Sequence, residues 1–117
     1  MLPRPHKLTA SADFKAAMKQ GVRAGSRTLM VHVRRREDLV VTGGPRFGLV
    51  VSKQVGNAVT RHAVSRKLRA VALASVDKLL PQHDVVLRAL PNSATATSAE
   101  LERDYAHALE KALHKLQ

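Results

Sequence analysis

Phe47-Gly-Leu-Val-Val-Ser-Lys53-Gln-Val-Gly56-Asn-Ala-Val-Thr-Arg61-His-Ala-Val-Ser-Arg66-Lys-Leu-Arg69 is the stretch from which the rest of the chain can be read. Its first part alternates. In an extended segment from Arg46 to Ser52, Phe47, Leu49 and Val51 fall on one side and Gly48, Val50 and Ser52 on the other. After a short loop, Lys53 to Asn57, the period becomes helical from about Ala58 to Leu80, and Pro81 ends it. With Arg61 at zero, Ser65, Arg69, His62 and Arg66 lie at roughly 40°, 80°, 100° and 140° around that helix, whereas Val64, Leu68, Val71 and Ser75 share an arc near roughly 310°. One face is therefore basic and an adjoining stripe packs inward. Gly56 and Asn57 stand just before the helix, where free backbone N–H groups and the positive end of the dipole suit a phosphate. A Val- and Leu-rich segment, His83 to Leu90, follows. Strand, helix and strand in that order predict a parallel pair within a mixed sheet.

Towards the amino terminus, Ser11 is the expected cap of a helix reaching Gln20 and stopped by Gly21, with Phe14, Ala17 and Met18 on one face. Arg27 to Arg35 alternates, placing Leu29, Val31 and Val33 on a core face and Met30, His32 and Arg34 on the other. Gly43-Gly44-Pro45 marks a turn, so this segment and Arg46–Ser52 are expected to form an antiparallel hairpin. Towards the carboxyl terminus, Thr97 and Glu100 form a capping box. The helix it opens buries Leu101, Tyr105, Ala108, Leu109, Ala112, Leu113 and Leu116. The local patterns thus spell helix, hairpin, helix, strand, helix.

At 117 residues the chain suits one domain, residues 1–117. Cysteine is absent, which removes disulfides, thiol catalysis and cysteine-bound zinc. No apolar run approaches the roughly 20 residues of a membrane span, and no secretory h-region follows the basic start, so a cytoplasmic protein with no membrane role is expected. The net charge of +11 is concentrated. Residues 1–69 hold 15 basic and 3 acidic side chains, and residues 70–117 hold 5 basic and 6 acidic. Charge gathered in this way is the footprint of a polyanion, most often nucleic acid.

At these residues the chain resembles the protein subunit of bacterial ribonuclease P. The resemblance takes in Lys7-Leu8, Asp13-Phe14, Gly21, Arg27, Phe47 to Lys53, and Gly56 through Arg61 to Arg66 and Arg69. The family signature there is Lys-x-x-Gly-Asn-Ala-Val-x-Arg-Asn-Arg-x-Lys-Arg-x-x-Arg. His62, Ala63 and Ser65 stand where Asn, Arg and Lys are usual, which takes two positive charges from the face.

The resemblance implies an α/β (α+β sandwich) fold in the order α-β-β-β-α-β-α, with a mixed four-stranded sheet. It also implies a left-handed parallel crossover, although such connections are right-handed in about 98% of cases. The implied role is that of a subunit of an endoribonuclease that removes the 5′ leader from precursor tRNA. The chemical step then lies on the ribonuclease P RNA, which holds most of the Mg2+. The implied partners are that RNA and precursor tRNA, with no obligate protein partner. Lys53, Gly56, Asn57, Arg61, His62, Arg66 and Arg69 would face the catalytic RNA, and Phe14, Met18, Met30 and His32 would line a cleft for the leader.

The residues themselves show no catalytic constellation and no metal-ligand spacing. His6, His32, His62, His83, His107 and His114 include no i,i+4 pair and are expected on polar faces. Two alternatives remain open on the residues alone. One is a general RNA- or DNA-binding protein of ribosomal or nucleoid type, and the other an RNA-cleaving enzyme using His32 or His62.

Overall fold

The fold is seen in a computed structural model that describes residues 2–37 and 44–116; Gly43 of the expected turn lies outside them. Helix α1 (Ser11–Gln20) is followed by strands β1 (Val22–Gly25), β2 (Leu29–Arg35) and β3 (Arg46–Val50). Then come helix α2 (Ala58–Ala74), strand β4 (His83–Ala89) and helix α3 (Ser98–Leu116). The four strands form one sheet in the order β1-β2-β4-β3.

That order corrects the hairpin. β2 and β3 are not neighbours: β4 lies between them, antiparallel to β2 and parallel to β3. The reason is burial. Six of the seven β4 residues are buried, so both of its faces must be covered. A strand apolar on both faces belongs in the middle of a sheet, with a partner on each side. The antiparallel hairpin is instead β1 with β2, closed by the Ser26 N–H bonding Leu29 O at 2.8 Å. With only four residues, the last of them Gly25, β1 is too short to carry a periodic signal.

On one face of the sheet, Leu29, Val31, Val33, Phe47, Val85 and Leu87 meet Val64 and Leu68 of α2 and Leu101, Tyr105, Ala108 and Leu109 of α3. This is the main core, on the sides that alternation predicts. α2 ends six residues earlier than its pattern suggested, because Ser75 leaves the helix. Its hydroxyl bonds Ala72 O at 2.7 Å and shares a 2.8 Å hydrogen bond with the buried Tyr105 hydroxyl. The capping box of α3 forms as expected, with Thr97 N–H donating to Glu100 Oε1 and Glu100 N–H to Thr97 Oγ1, both at 3.1 Å.

α1 lies on the opposite face. Its cap is Ala10 rather than Ser11, whose side chain makes no capping bond. Ala17, Leu8 and Val86 are buried there, with Phe14, Met18 and Val50 packed around them. Two glycines allow the close approach. A Cβ on Gly21 would lie 2.3 Å from Val33 O, and one on Gly48 would lie 2.3 Å from Cε1 of Phe14. The Phe14 ring therefore sits directly on the backbone of β3.

Candidate nucleic-acid interface

The entry of α2 is built by its sequence. Gly56 has φ 154°, a conformation that an L residue rarely adopts. Asn57 then caps the helix, its Oδ1 accepting from Thr60 N–H at 2.9 Å. One of the first amides is thus taken by the cap, while those of Ala58 and Val59 have no intrahelical acceptor. Val59 itself is 79% exposed, at the head of the basic face.

Along that face, His62 and Arg66 are exposed and Arg61 and Arg69 are half-buried; Lys53 is exposed in the turn that precedes the helix. Among the described residues, none of Lys53, Arg61, Arg66 and Arg69 has an ion-pair partner. Arg61 Nε is shielded from solvent and has no hydrogen-bond partner. The arginines that serve the fold behave differently. Arg34, Arg36 and Arg46 all converge on the fully buried carboxylate of Asp84. Among the described residues, carboxylates thus engage the arginines that serve the fold and none of the cations on the basic face of α2.

Strand register builds the second surface. Three rows cross the sheet on the α1 side: Gly25, Met30, Arg88 and Val50; then Arg23, His32, Val86 and Gly48; then Arg34, Asp84 and Arg46. Val86 joins the halves of the expected cleft, since it pairs with His32 and packs in the cluster that holds Phe14 and Met18. Phe14 and Met18 are half-buried, so they serve packing and also keep part of their surface open. Met30 is half-buried over Gly25.

His32 is buried, against the expectation of a polar-face histidine, and neither ring nitrogen has a hydrogen-bond partner. Burial, reinforced by the Arg88 and Arg23 charges, pushes its pKa below the ordinary imidazole value. The ring therefore favours its neutral form, with both nitrogens shielded from solvent. His83 is also buried, but its Nδ1 accepts from Leu80 N–H at 3.1 Å.

Arg23 and Arg88, both exposed, and Asp84 escaped notice in the sequence. The run His83 to Leu90 reads in the sequence as a Val- and Leu-rich strand. Its alternate members Asp84, Val86 and Arg88 were the available signal.

Among the described residues, no group of three or more His, Asp or Glu could hold a metal ion. The two carboxylates on the α1 side, Asp13 and Asp84, are taken up by arginines. No helix among the described residues is long and apolar enough to cross a membrane.

Comparisons with known proteins agree on one family. The family model for Ribonuclease P matches residues 2–113. The ribonuclease P protein component of Corynebacterium diphtheriae is 52% identical over 114 residues, covering 95% of this chain and 96% of the relative. That of Rhodococcus erythropolis is 51% identical over 115 residues, covering 95% and 91%. Among solved structures, the RNase P protein of Staphylococcus aureus superposes with a TM-score of 0.77 at 23% identity, covering 92% of this chain and 94% of the other. The RNase P protein of Thermotoga maritima gives 0.72 at 18% identity, covering 86% and 94%. At those identities the structural likeness concerns the fold.

Proposed function

The chain belongs to the ribonuclease P protein family and is a protein component of that tRNA-processing endoribonuclease, and from this premise we propose how its two surfaces divide the work. Lys53, Gly56, Asn57, Arg61, His62, Arg66 and Arg69 face the catalytic RNA. Phe14, Met18, Met30 and His32, flanked by Arg23 and Arg88, hold the single-stranded 5′ leader of precursor tRNA. No residue of this chain performs the chemical step, and Mg2+ is left to the RNA.

One observation carries this reading: among the described residues the cations on the basic face of α2 have no ion-pair partner, while Arg34, Arg36 and Arg46 are engaged by Asp84. Unpaired cations on a rigid helix offset repulsion between two polyanionic RNAs and release counterions when they bind. The leader surface has a different composition, with an apolar middle for bases and one cation on either side for phosphates.

The test is cleavage of precursor tRNA by the catalytic RNA, with and without this protein, across a magnesium series. Stimulation should be greatest at low magnesium and fade as magnesium rises. Specific leader removal by rigorously RNA-free protein would overturn the division of labour. Tight RNA binding without stimulation at any magnesium level would favour a general RNA-binding role.

A further inference from the structure

His32 differs from its neighbours on the sheet face: it is titratable, only 3% exposed, and without a hydrogen-bond partner at either ring nitrogen. Two cations bracket it. Arg23 lies directly opposite on β1, and Arg88 lies diagonally across on β4, two residues beyond the partner Val86. Such positions set side chains roughly 5 Å and roughly 7–8 Å apart at Cβ, within reach of long residues. Both arginines are exposed, and among the described residues neither has an ion-pair partner.

The other charges around the ring have different engagements. Arg34, next on the same side of β2, is held by Asp84 and Asp13. α1 packs over this face through Phe14, Ala17 and Met18, and its Lys15 and Lys19 are exposed. α3, on the far face, sends Lys115 to the edge of the row, where it donates to Arg23 O at 2.7 Å. The free imidazole is thus held below its ordinary pKa by burial first, and then by the Arg88 and Arg23 charges.

A proton on this ring would be a third positive charge in the row. A phosphodiester seated on Arg23 and Arg88 reverses that bias, because its own charge cancels the field that opposes the proton. We propose that His32 links RNA capture to a proton: as the backbone of the precursor's leader seats on Arg23 and Arg88, the ring takes up a proton, and affinity rises as pH falls. The coupling is reciprocal, since whatever raises the ring's affinity for a proton is itself bound more tightly by the protonated chain. Burial is the larger influence and persists in the complex, so the effect is a few-fold rather than many orders. This inference rests on the leader reading above and adds the regulation of that surface.

The experiment follows equilibrium binding of precursor and mature tRNA to the reconstituted holoenzyme from about pH 8 to about pH 6, with the precursor's scissile bond blocked. In wild type the preference for precursor should grow by about 3-fold or more as pH falls. His32→Gln cannot titrate in this window, and its preference should be flat. A paired variant, Arg23→Gln with Arg88→Gln, keeps the imidazole and removes the cations that couple it to the backbone. It should bind precursor more weakly, be equally flat, and carry the test should His32→Gln unfold. Thermal midpoints are followed at each pH.

A wild-type preference for precursor that does not change with pH overturns the linkage and spares the leader reading. A slope that persists in His32→Gln or in the paired variant assigns the proton to another group and overturns it too. A slope found in assembly with the catalytic RNA, and not in the preference for precursor, places the phosphate on that RNA and overturns the leader as its source. Equal wild-type affinity for precursor and mature tRNA at every pH overturns the leader reading itself.

Discussion

Asp13 of α1 and Asp84 of β4 are held by the same two arginines. Arg34 Nη2 lies 2.9 Å from Asp84 Oδ2 and 3.5 Å from Asp13 Oδ1. Arg46 donates through Nε and Nη2 to Asp84, both at 2.8 Å, while its Nη1 reaches Asp13 Oδ2 at 3.3 Å. The pair thus ties the first helix to the central strand, and with it the position of Phe14, one residue along.

The two carboxylates should differ in weight. Asp84 is fully buried, and removing it leaves several guanidinium groups without a counter-charge. Asp84→Asn is expected to destabilise by about 3–5 kcal/mol. Asp13 is 30% exposed, and Asp13→Asn is expected to cost about 0–1 kcal/mol. Urea denaturation of both variants checks this, and equal losses would show that Asp84 is not the anchor.

Replacing Arg61, Arg66 and Arg69 together with Ala should weaken assembly with the catalytic RNA. It should also lower the slope of log K against log salt by roughly 2–3, one phosphate contact per arginine. Since these side chains have no ion-pair partners among the described residues, thermal stability should hardly move. An unchanged slope would remove this helix from the RNA contact.

Phe14→Ala should weaken precursor binding by the holoenzyme by about 1–3 kcal/mol while sparing mature tRNA. Gly48→Ala offers an independent approach. Its new methyl would meet the Phe14 ring at 2.3 Å and displace it, giving a loss in the same direction. Equal losses for precursor and mature tRNA in both variants would mean damage to packing rather than to a leader contact.

Stability should fall as pH drops through the imidazole range. His32 and His83 have lowered pKa values in the folded chain, each chiefly through burial. Below about 6.5 the unfolded chain takes up protons that the folded chain refuses, so the unfolded state binds more of them and gains. Their contribution is complete above about 6.5 and is lost as pH falls towards the folded values. Denaturation midpoints across that range check the slope, and His32→Gln should make it shallower. An identical slope in that variant would show that His32 takes up its proton alike in the folded and unfolded states.

Much of the chemistry was legible in the sequence because it rests on local patterns. Alternation in 29–33 and 47–51 identified the core face. The Asn57 entry, the basic face of α2 and the Thr97–Glu100 box each follow from spacings within a helical turn or two. These features need no knowledge of what lies across the sheet.

Which strands pair is a different kind of fact. The pattern of β2 and β3 is satisfied as well by a hairpin as by two strands flanking β4. Only the need to cover both faces of β4 chose between them. The Asp13–Arg34–Arg46–Asp84 cluster and the burial of His32 without a hydrogen-bond partner both follow from that choice. Each joins residues far apart in the chain. Their proximity comes from the global minimum of buried apolar surface and satisfied backbone groups, which no short window contains. The sequence therefore determined a basic helix face, and tertiary packing decided which of the chain's cations are engaged by carboxylates.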